Sequence, residues 1–490
     1  MSSLYANNVY ASDINNSPLG AGRSEQNPTI ERRQQQARES LGNTLLIGAG
    51  PAAIQMAVLL AGGWVKQLGI ASRSSDHWSD FQAQYKAAGQ VSVVPAKLTL
   101  TSLAGVACFE CCYGQLDKIE NQWDTMVLCV PADGYQKVLK QIPLQKLDRI
   151  QRVILLSSSF GAHLVVNHQF QCVGQHVEVV SLSTYFAATK GDRTENNEGK
   201  CSNSRVNVIT KARKKRIYLA SYPSPEPSTI SNTQAALVHM WGSVGIDVVI
   251  LSDCFSVEAR SITAYVHPPL FVNEFSLNQL LDQSGPPKYM YKLFPEGPIT
   301  PVVMKEMVQL WKDISSIVRR VHAEPINLLK FLNDDNYPVL EKSIRRFDID
   351  NFDKYTADKQ EYLLYVRYAS ILVDPFSEPN KEGRYFDFSA VPFPKAVDEN
   401  NVLIVPRVPL EDMKAMYVFY DLAKAFQLPV VAVSRFVERF EQWFETHLQH
   451  ESITQNHQLI EQLKQSSQQV AEIILHSLDL DSDSEKSKEA

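Results

Sequence analysis

The side chain best suited by type and setting to move a proton near neutral pH is His267, in Ala264-Tyr-Val-His-Pro-Pro-Leu270. Imidazole titrates closest to neutrality, so it can both donate and accept in one catalytic cycle. The two prolines fix their own φ and disfavour helix before them, so a rigid, non-helical mount is expected. The competing reading is a structural histidine that caps a loop. Tyr291-Lys-Leu-Phe-Pro-Glu-Gly-Pro-Ile-Thr300 adds a turn and a helix start. Tyr362-Leu-Leu-Tyr-Val-Arg367-Tyr368 sets an arginine in an apolar helical stretch that closes at Asp374-Pro375. A buried guanidinium needs an anion, so Arg367 is either paired with a carboxylate such as Asp374 or held for a substrate carboxylate. Arg384-Tyr-Phe-Asp387-Phe-Ser389 carries the same two readings.

A second centre is the run Gly48-Ala-Gly50-Pro51-Ala-Ala53, which closes the apolar strand Leu45-Leu-Ile47 and opens the helix Ile54–Ala61. In that context the first glycine makes the tight turn, and the second lets a pyrophosphate approach the backbone. Ala53 is the small residue where helix and strand pack closely, and the helix N-terminus aims free N–H groups at the phosphates. A glycine-rich turn in another doubly wound fold is the alternative. The next strand runs into Ser72-Arg73-Ser74-Ser75 and offers an arginine where an NAD site would carry an acid. A guanidinium fork flanked by hydroxyls suits a 2′-phosphate, so NADP(H) is expected. Asp76 would weaken that preference if it faced the ribose. The loop Pro131-Ala-Asp133-Gly-Tyr135 follows another strand and should flank the same crevice.

These groups need a scaffold, and the first half supplies alternating strands and helices: Thr44–Ile47, Leu68–Ala71, Val91–Val94, Asp124–Val130, Arg152–Leu156 and Val177–Leu182. Arg216–Ala220 and Asp247–Leu251 are two further candidates. This pattern predicts an α/β fold, with a Rossmann-like doubly wound parallel sheet at the N-terminal end. The polar segment Gly191–Ser204 reads as an exposed loop. Long helical stretches follow, Val302–Val321 and Lys359–Val373 among them, so a mainly α-helical C-terminal domain is expected. The domain reading is a disordered extension 1–42, a cofactor domain 43–256, a substrate and catalytic domain 257–475 and an acidic tail 476–490. The basic run Lys211-Ala-Arg-Lys-Lys-Arg216 is read as a solvated hairpin end, with anion attraction as the alternative.

Composition narrows the class further. With 44% hydrophobic residues and a net charge of -6, the chain does not suggest a nucleic-acid surface. Seven cysteines, an odd number without a secretory leader, fit a reduced cytoplasmic protein. Cys108, Cys111 and Cys112 approach a zinc-knuckle spacing, but no second ligand pair follows. No apolar run reaches the roughly 18 residues that a bilayer span needs.

Six runs resemble one family closely: Gly48–Gln55, Ser183-Thr-Tyr185, Tyr265–Phe271, Tyr291–Thr300, Gln360–Tyr368 and Tyr385–Phe393. Together they resemble the opine metallophore dehydrogenases over roughly Thr44 to His450. The resemblance implies reductive condensation of a histidine-derived aminobutyrate amine with a 2-oxo acid, pyruvate or 2-oxoglutarate, using NADPH. The product would chelate metals such as zinc; the enzyme itself would need none. It also implies a possible homodimer. His267 matches the family's acid/base histidine, with Asp374 as candidate partner, and Arg73 matches its phosphate-binding arginine. A second basic residue of some members falls here at about Ser79, which implies a partial clamp and some use of NADH. Tyr185, Ala188 and Arg367 are implied substrate contacts. Staphylopine-type members carry an acid at the position of Ala188, so the resemblance is nearer to the pseudopaline and yersinopine type. Two other classes stay open from the residues themselves: a dehydrogenase of 2-hydroxy acids or alcohols, and a non-catalytic dinucleotide-binding regulator.

Overall fold

The computed structural model describes residues 39–195, 201–226, 229–282, 285–373, 389–399, 402–447 and 453–489. In chain order its strands are β1 (Asn43–Ile47), β2 (Gln67–Ala71), β3 (Val91–Pro95), β4 (Gly105–Ala107), β5 (Cys111–Tyr113), β6 (Thr125–Leu128) and β7 (Arg152–Leu155). They continue with β8 (Glu178–Leu182), β9 (Ala187–Glu195), β10 (Cys201–Arg213), β11 (Arg216–Tyr222), β12 (Asp247–Ile250), β13 (Val397–Glu399) and β14 (Val402–Ile404).

An eight-stranded sheet in the order β12-β11-β8-β7-β6-β1-β2-β5 forms the first half. β1 lies parallel to both β2 and β6, which puts the glycine turn inside the sheet, two strands from the β5 edge and at the point where the strand order reverses. The strands are apolar because they are covered on both faces: Leu45 to Ile47, Met126 to Leu128 and Val153 to Leu155 are all buried. The Rossmann-like fold class is thus as the sequence predicts, with two differences in strand use. β11 runs antiparallel to β8, because only two residues link it to β10 and return the chain at the carboxyl end of β8. Val91–Val94, expected in the parallel sheet, belongs instead to a second sheet in the order β4-β3-β10-β9.

That second sheet corrects a further expectation. Gly191–Ser204, read as a loop, contributes to the antiparallel hairpin β9–β10, with register pairs from Ala187 to Arg213 at its base out to Glu195 and Cys201. Burial of Ser204, Val206, Val208 and Thr210 alternates along β10, the two-residue period of a strand packed on one face. The helix Pro51–Leu60 lies between the two sheets, which explains why Ala53 to Leu60 are buried all round rather than on one stripe. Its single polar interior residue, Gln55, is satisfied on both sides: Nε2 donates to Leu103 O at 3.1 Å, and Thr210 Oγ1 donates to Oε1.

Helices dominate after residue 254. Pro301–Arg320 starts at Thr300, whose hydroxyl accepts from Val303 N at 3.2 Å, and runs through a core that includes Met304, Ile314, Leu364, Met416 and Phe436. Buried Asp313 caps the helix Ala432–His447 by accepting from Ala432 N at 2.6 Å and Val433 N at 3.2 Å. Arg439 grips Glu306 with two hydrogen bonds of 2.7 and 3.2 Å, a bidentate pair that fixes that helix against Pro301–Arg320. The helix Ile453–Glu489 runs into the acidic end of the chain. It also seats on the first half: a Cβ on Gly161 would lie 2.4 Å from Ile474 Cδ1. No helix among the described residues is long and apolar enough to cross a membrane.

Candidate active site

The glycine turn has the shape that the sequence demands. Gly48 adopts φ +113, which L side chains rarely reach, and a Cβ there would press to 3.0 Å from Val130 Cγ1. Gly50 caps the helix Pro51–Leu60 in an extended conformation, with no side-chain cap and no acid in the first turn. A Cβ on Gly50 would meet nothing within 4 Å, so the space above these free N–H groups is open. An anionic pyrophosphate fits that position by charge and by shape. Pro51 occupies the first helical turn, where its missing N–H costs nothing, and Ala53 is fully buried against the sheet.

Just beyond the carboxyl end of β2, Arg73 and Ser74 are exposed side by side. Ser75 is committed elsewhere: it caps the helix Asp76–Ala88 by accepting from Trp78 N at 3.3 Å. Asp76 is the first residue of that helix, where a carboxylate complements the positive end of the dipole. This gives Asp76 a structural place of its own and leaves Arg73 as the charged group nearest the end of β2.

His267 occupies the helix Ile262–Phe271, not the non-helical segment expected from its prolines. Pro268 and Pro269 sit inside that helix and withdraw the N–H groups that would bond the carbonyls of Ala264 and Tyr265. Packing outweighs that local cost, because Ala264, Tyr265, Val266, Leu270 and Phe271 are all buried in the helical core. The His267 ring rests 4.8 Å from the Phe271 ring centroid. Its Nδ1 lies 2.9 Å from Asp412 Oδ1, and its Nε2 lies 3.4 Å from the Tyr291 hydroxyl.

Asp412 was not singled out by the sequence. It belongs to the helix Arg407–Ala425, whose regular backbone begins after a kink at Val408, so the carboxylate stands within the first turns. Burial pushes its carboxyl above the ordinary value, and the neighbouring His267 opposes that shift. Its second oxygen, Oδ2, is buried with no hydrogen-bond partner among the described residues. Burial likewise raises the Tyr291 hydroxyl well above its usual range, with the Asp412 charge adding to the effect. The proposed partner Asp374 lies outside the described residues, as does most of Arg384–Ser389. The described partner of His267 is Asp412. Two residues on, Lys414 forms an ion pair with Asp133, so the loop after β6 is tied directly to the helix that bears Asp412.

Arg367 is 1% exposed and resolves its two readings in neither direction. Its Nη2 donates to Leu332 O at 2.8 Å and Tyr337 O at 2.9 Å, and its guanidinium lies 5.1 Å from the Tyr368 ring centre. No carboxylate among the described residues bonds to it. Burial therefore holds the Arg367 pKa below its usual value. Tyr185 follows β8, with its hydroxyl 2.9 Å from Thr189 Oγ1, and Ala188 is exposed on β9 opposite Ala212. Among the described residues no hydrogen bond or ring contact joins these three to His267, whose polar neighbours are Asp412 and Tyr291. The basic run is less solvated than expected: Lys214 Nζ donates to Asn336 Oδ1 at 3.0 Å, and Arg216 Nε to Asp247 Oδ2 at 2.7 Å. Among the described residues no group of three or more His, Cys, Asp or Glu could hold a metal ion.

Known proteins share this architecture. A model of the family described as staphylopine dehydrogenase matches residues 42–478. Pseudopaline synthase of Pseudomonas aeruginosa is 40% identical over 415 residues, covering 82% of this chain and 92% of that protein. Yersinopine synthase of Yersinia pestis is 37% identical over 417 residues, covering 81% and 90%. The solved NADP+-bound yersinopine dehydrogenase superposes with a TM-score of 0.73 at 32% identity, covering 87% of this chain and 99% of that one.

Proposed function

Since the chain belongs to the staphylopine dehydrogenase family, we propose that it condenses a histidine-derived aminobutyrate amine with a 2-oxo acid and reduces the imine to a secondary amine, the last step toward a metallophore. Residues 43–256 form the cofactor half and 257–475 the substrate half of this reading, with the site in the crevice between them. NADPH, when bound, supplies the hydride that the imine carbon accepts. Gly48, Gly50, Pro51 and Ala53 would cradle its pyrophosphate, and Arg73 with Ser74 its 2′-phosphate.

The observation that carries the reading is the pairing of His267 with buried Asp412. Asp412 accepts the Nδ1 hydrogen, which fixes the ring orientation and leaves Nε2 to exchange the proton. Condensation expels a hydroxyl that must be protonated to leave, and the imine accepts hydride best when its nitrogen carries a proton. His267 Nε2 would serve both needs, with the Tyr291 hydroxyl beside it to orient the acceptor. Lys414 and Asp133 would hold the two walls of the crevice together during the cycle.

The test is NADPH oxidation by the purified protein, with mass spectrometry of the product formed from the amine with pyruvate or with 2-oxoglutarate. Oxidation is expected only when both the amine and an oxo acid are present. Oxidation with the oxo acid alone would replace this reading with a 2-hydroxy-acid dehydrogenase, and no turnover with any amine would leave a dinucleotide-binding regulator. Arg73→Ala should weaken NADPH binding about 10- to 100-fold, the loss of one charge-assisted contact, and leave NADH binding unchanged. Equal losses for both nucleotides would remove Arg73 from the 2′-phosphate.

A further inference from the structure

The two anion-binding points of the nucleotide site proposed above fix a direction across the sheet. The glycine turn follows β1 and Arg73 follows β2, on adjacent strands roughly 4.8 Å apart. In a nucleotide the 5′-carbon and the base leave the ribose on opposite sides of its ring oxygen. With the pyrophosphate on the glycine turn and the 2′-phosphate on Arg73, the adenine is carried away from β1, toward the strand on the far side of β2. That strand is β5, the edge of the sheet, and its last residue is Tyr113.

Tyr113 and Arg73 belong to one rigid corner. The Tyr113 carbonyl accepts from Ser72 N at 2.9 Å, which sets it directly beside the residue before Arg73. Trp78 touches both segments: its backbone N–H donates to Ser75 Oγ at 3.3 Å, and its indole leaves no room for a Cβ on Gly114. The Tyr113 ring is itself mounted on fixed neighbours. Trp123 meets it edge-on, with centroids 6.4 Å apart at 86°, and Gln122 Nε2 donates to its hydroxyl at 3.3 Å. The Trp123 ring fills the space that Gly69 of β2 leaves by having no side chain. Tyr113 is only half-buried, so part of it is open to a ligand at the carboxyl end of the sheet. Burial pushes its hydroxyl up to about 12, so the ring is neutral at physiological pH and does not repel a phosphate.

We propose that Tyr113 is the aromatic wall of the adenine subsite, with the base laid against its ring beside the 2′-phosphate that Arg73 holds. The inference rests on the NADPH site proposed above and is independent of which amine or oxo acid reacts. Covalent reach agrees with it: adenine N9 is four bonds from the phosphorus of the 2′-phosphate, on the order of 5 Å, about one strand spacing. The glycine turn and Arg73 hold charge, and an aromatic ring supplies the uncharged contact that a base needs.

The test is calorimetric titration of the full chain with NADPH and with NADH, which share the adenine and differ in the 2′-phosphate. Tyr113→Ala should weaken both about 5- to 100-fold, the range for one aromatic–base stack, and leave the ratio of the two affinities at its wild-type value. Tyr113→Phe keeps the ring and should bind both nucleotides as the wild type does. Tyr113→Leu, which fills the space without an aromatic face, should weaken both in the same direction and serves if the alanine variant does not fold. Wild-type affinity in the alanine or leucine variant, or an equal loss in Tyr113→Phe, would overturn the stack. A loss that falls on NADPH alone would also overturn it, since that pattern means a shifted Arg73 corner and no contact with the base. A wild-type protein that binds neither nucleotide would remove the cofactor site itself, and the stack with it.

Discussion

Two histidine–carboxylate pairs, each with a 2.9 Å contact, stand in this protein on opposite sides of one difference. His163 and Glu258 have side chains 3% and 0% exposed, and both Glu258 oxygens are saturated. They accept from Gly161 N at 2.8 Å, His163 N at 2.9 Å and Ser181 Oγ at 2.7 Å, as well as meeting His163 Nδ1. His267 keeps 16% of its side chain exposed, and its partner Asp412 keeps one oxygen with no hydrogen-bond partner among the described residues. The same two chemical groups therefore do two jobs. A fully satisfied buried pair ties the loop after β7 to the junction helix Cys254–Glu258, whereas an under-satisfied pair with an open edge is free to exchange a proton.

Removing the carboxylate from each pair should separate the two jobs, and the largest effect belongs to the closed one. Glu258→Ala strands two backbone N–H groups, a hydroxyl and an imidazole in the interior, and should cost about 3–5 kcal/mol in chemical denaturation, in line with breaking a buried pair. A loss under about 1 kcal/mol would mean that water replaces the carboxylate and that the site is not closed. Asp412→Asn should lower kcat on the order of 10- to 1,000-fold by removing the charge that supports a protonated His267. Its stability should move the other way. The Asp412 carboxyl is raised in the fold, so whatever stability its protonation lends is present below the ordinary carboxylate range and lost as pH rises through the raised value. At neutral pH the ionised group is therefore a liability, and the asparagine variant should melt no lower than the wild type. A clear drop in Tm would make Asp412 a structural residue like Glu258. The smallest effect is expected from Tyr291→Phe, a few-fold fall in kcat/KM, since a 3.4 Å contact is weak.

What the sequence made legible follows the same division between local and distant causes. The glycine turn, the strand before it and the helix after it are neighbours along the chain, and Gly48, Gly50 and Ala53 occupy the places expected of them. His267 was recognisable by residue type, but its backbone was not, because helical packing of Tyr265, Leu270 and Phe271 overrides what two prolines prefer locally. Asp412 lies 145 residues from its histidine, so no spacing could join them. A weaker signal was present: Asp412 shares a helix face with buried Pro409, Met413 and Met416, and an acid on an apolar face needs a partner. The β9–β10 hairpin was hidden by polar composition, although the alternation of Ser204, Val206, Val208 and Thr210 carried the strand period. Lys214, Arg216 and Arg260 converge only through sheet and helix packing, which is why a basic run looked like plain surface.

The most direct measurement compares single-turnover NADPH oxidation in two glutamine variants, His267→Gln and His163→Gln, with both substrates present and at a temperature where both variants are folded. The rate of His267→Gln should fall about 100- to 10,000-fold with NADPH affinity unchanged, the range for losing a general acid–base group, while His163→Gln stays within a few-fold of the wild type. Normal turnover in His267→Gln, or equal losses in the two variants, would contradict the assignment of the open pair to catalysis.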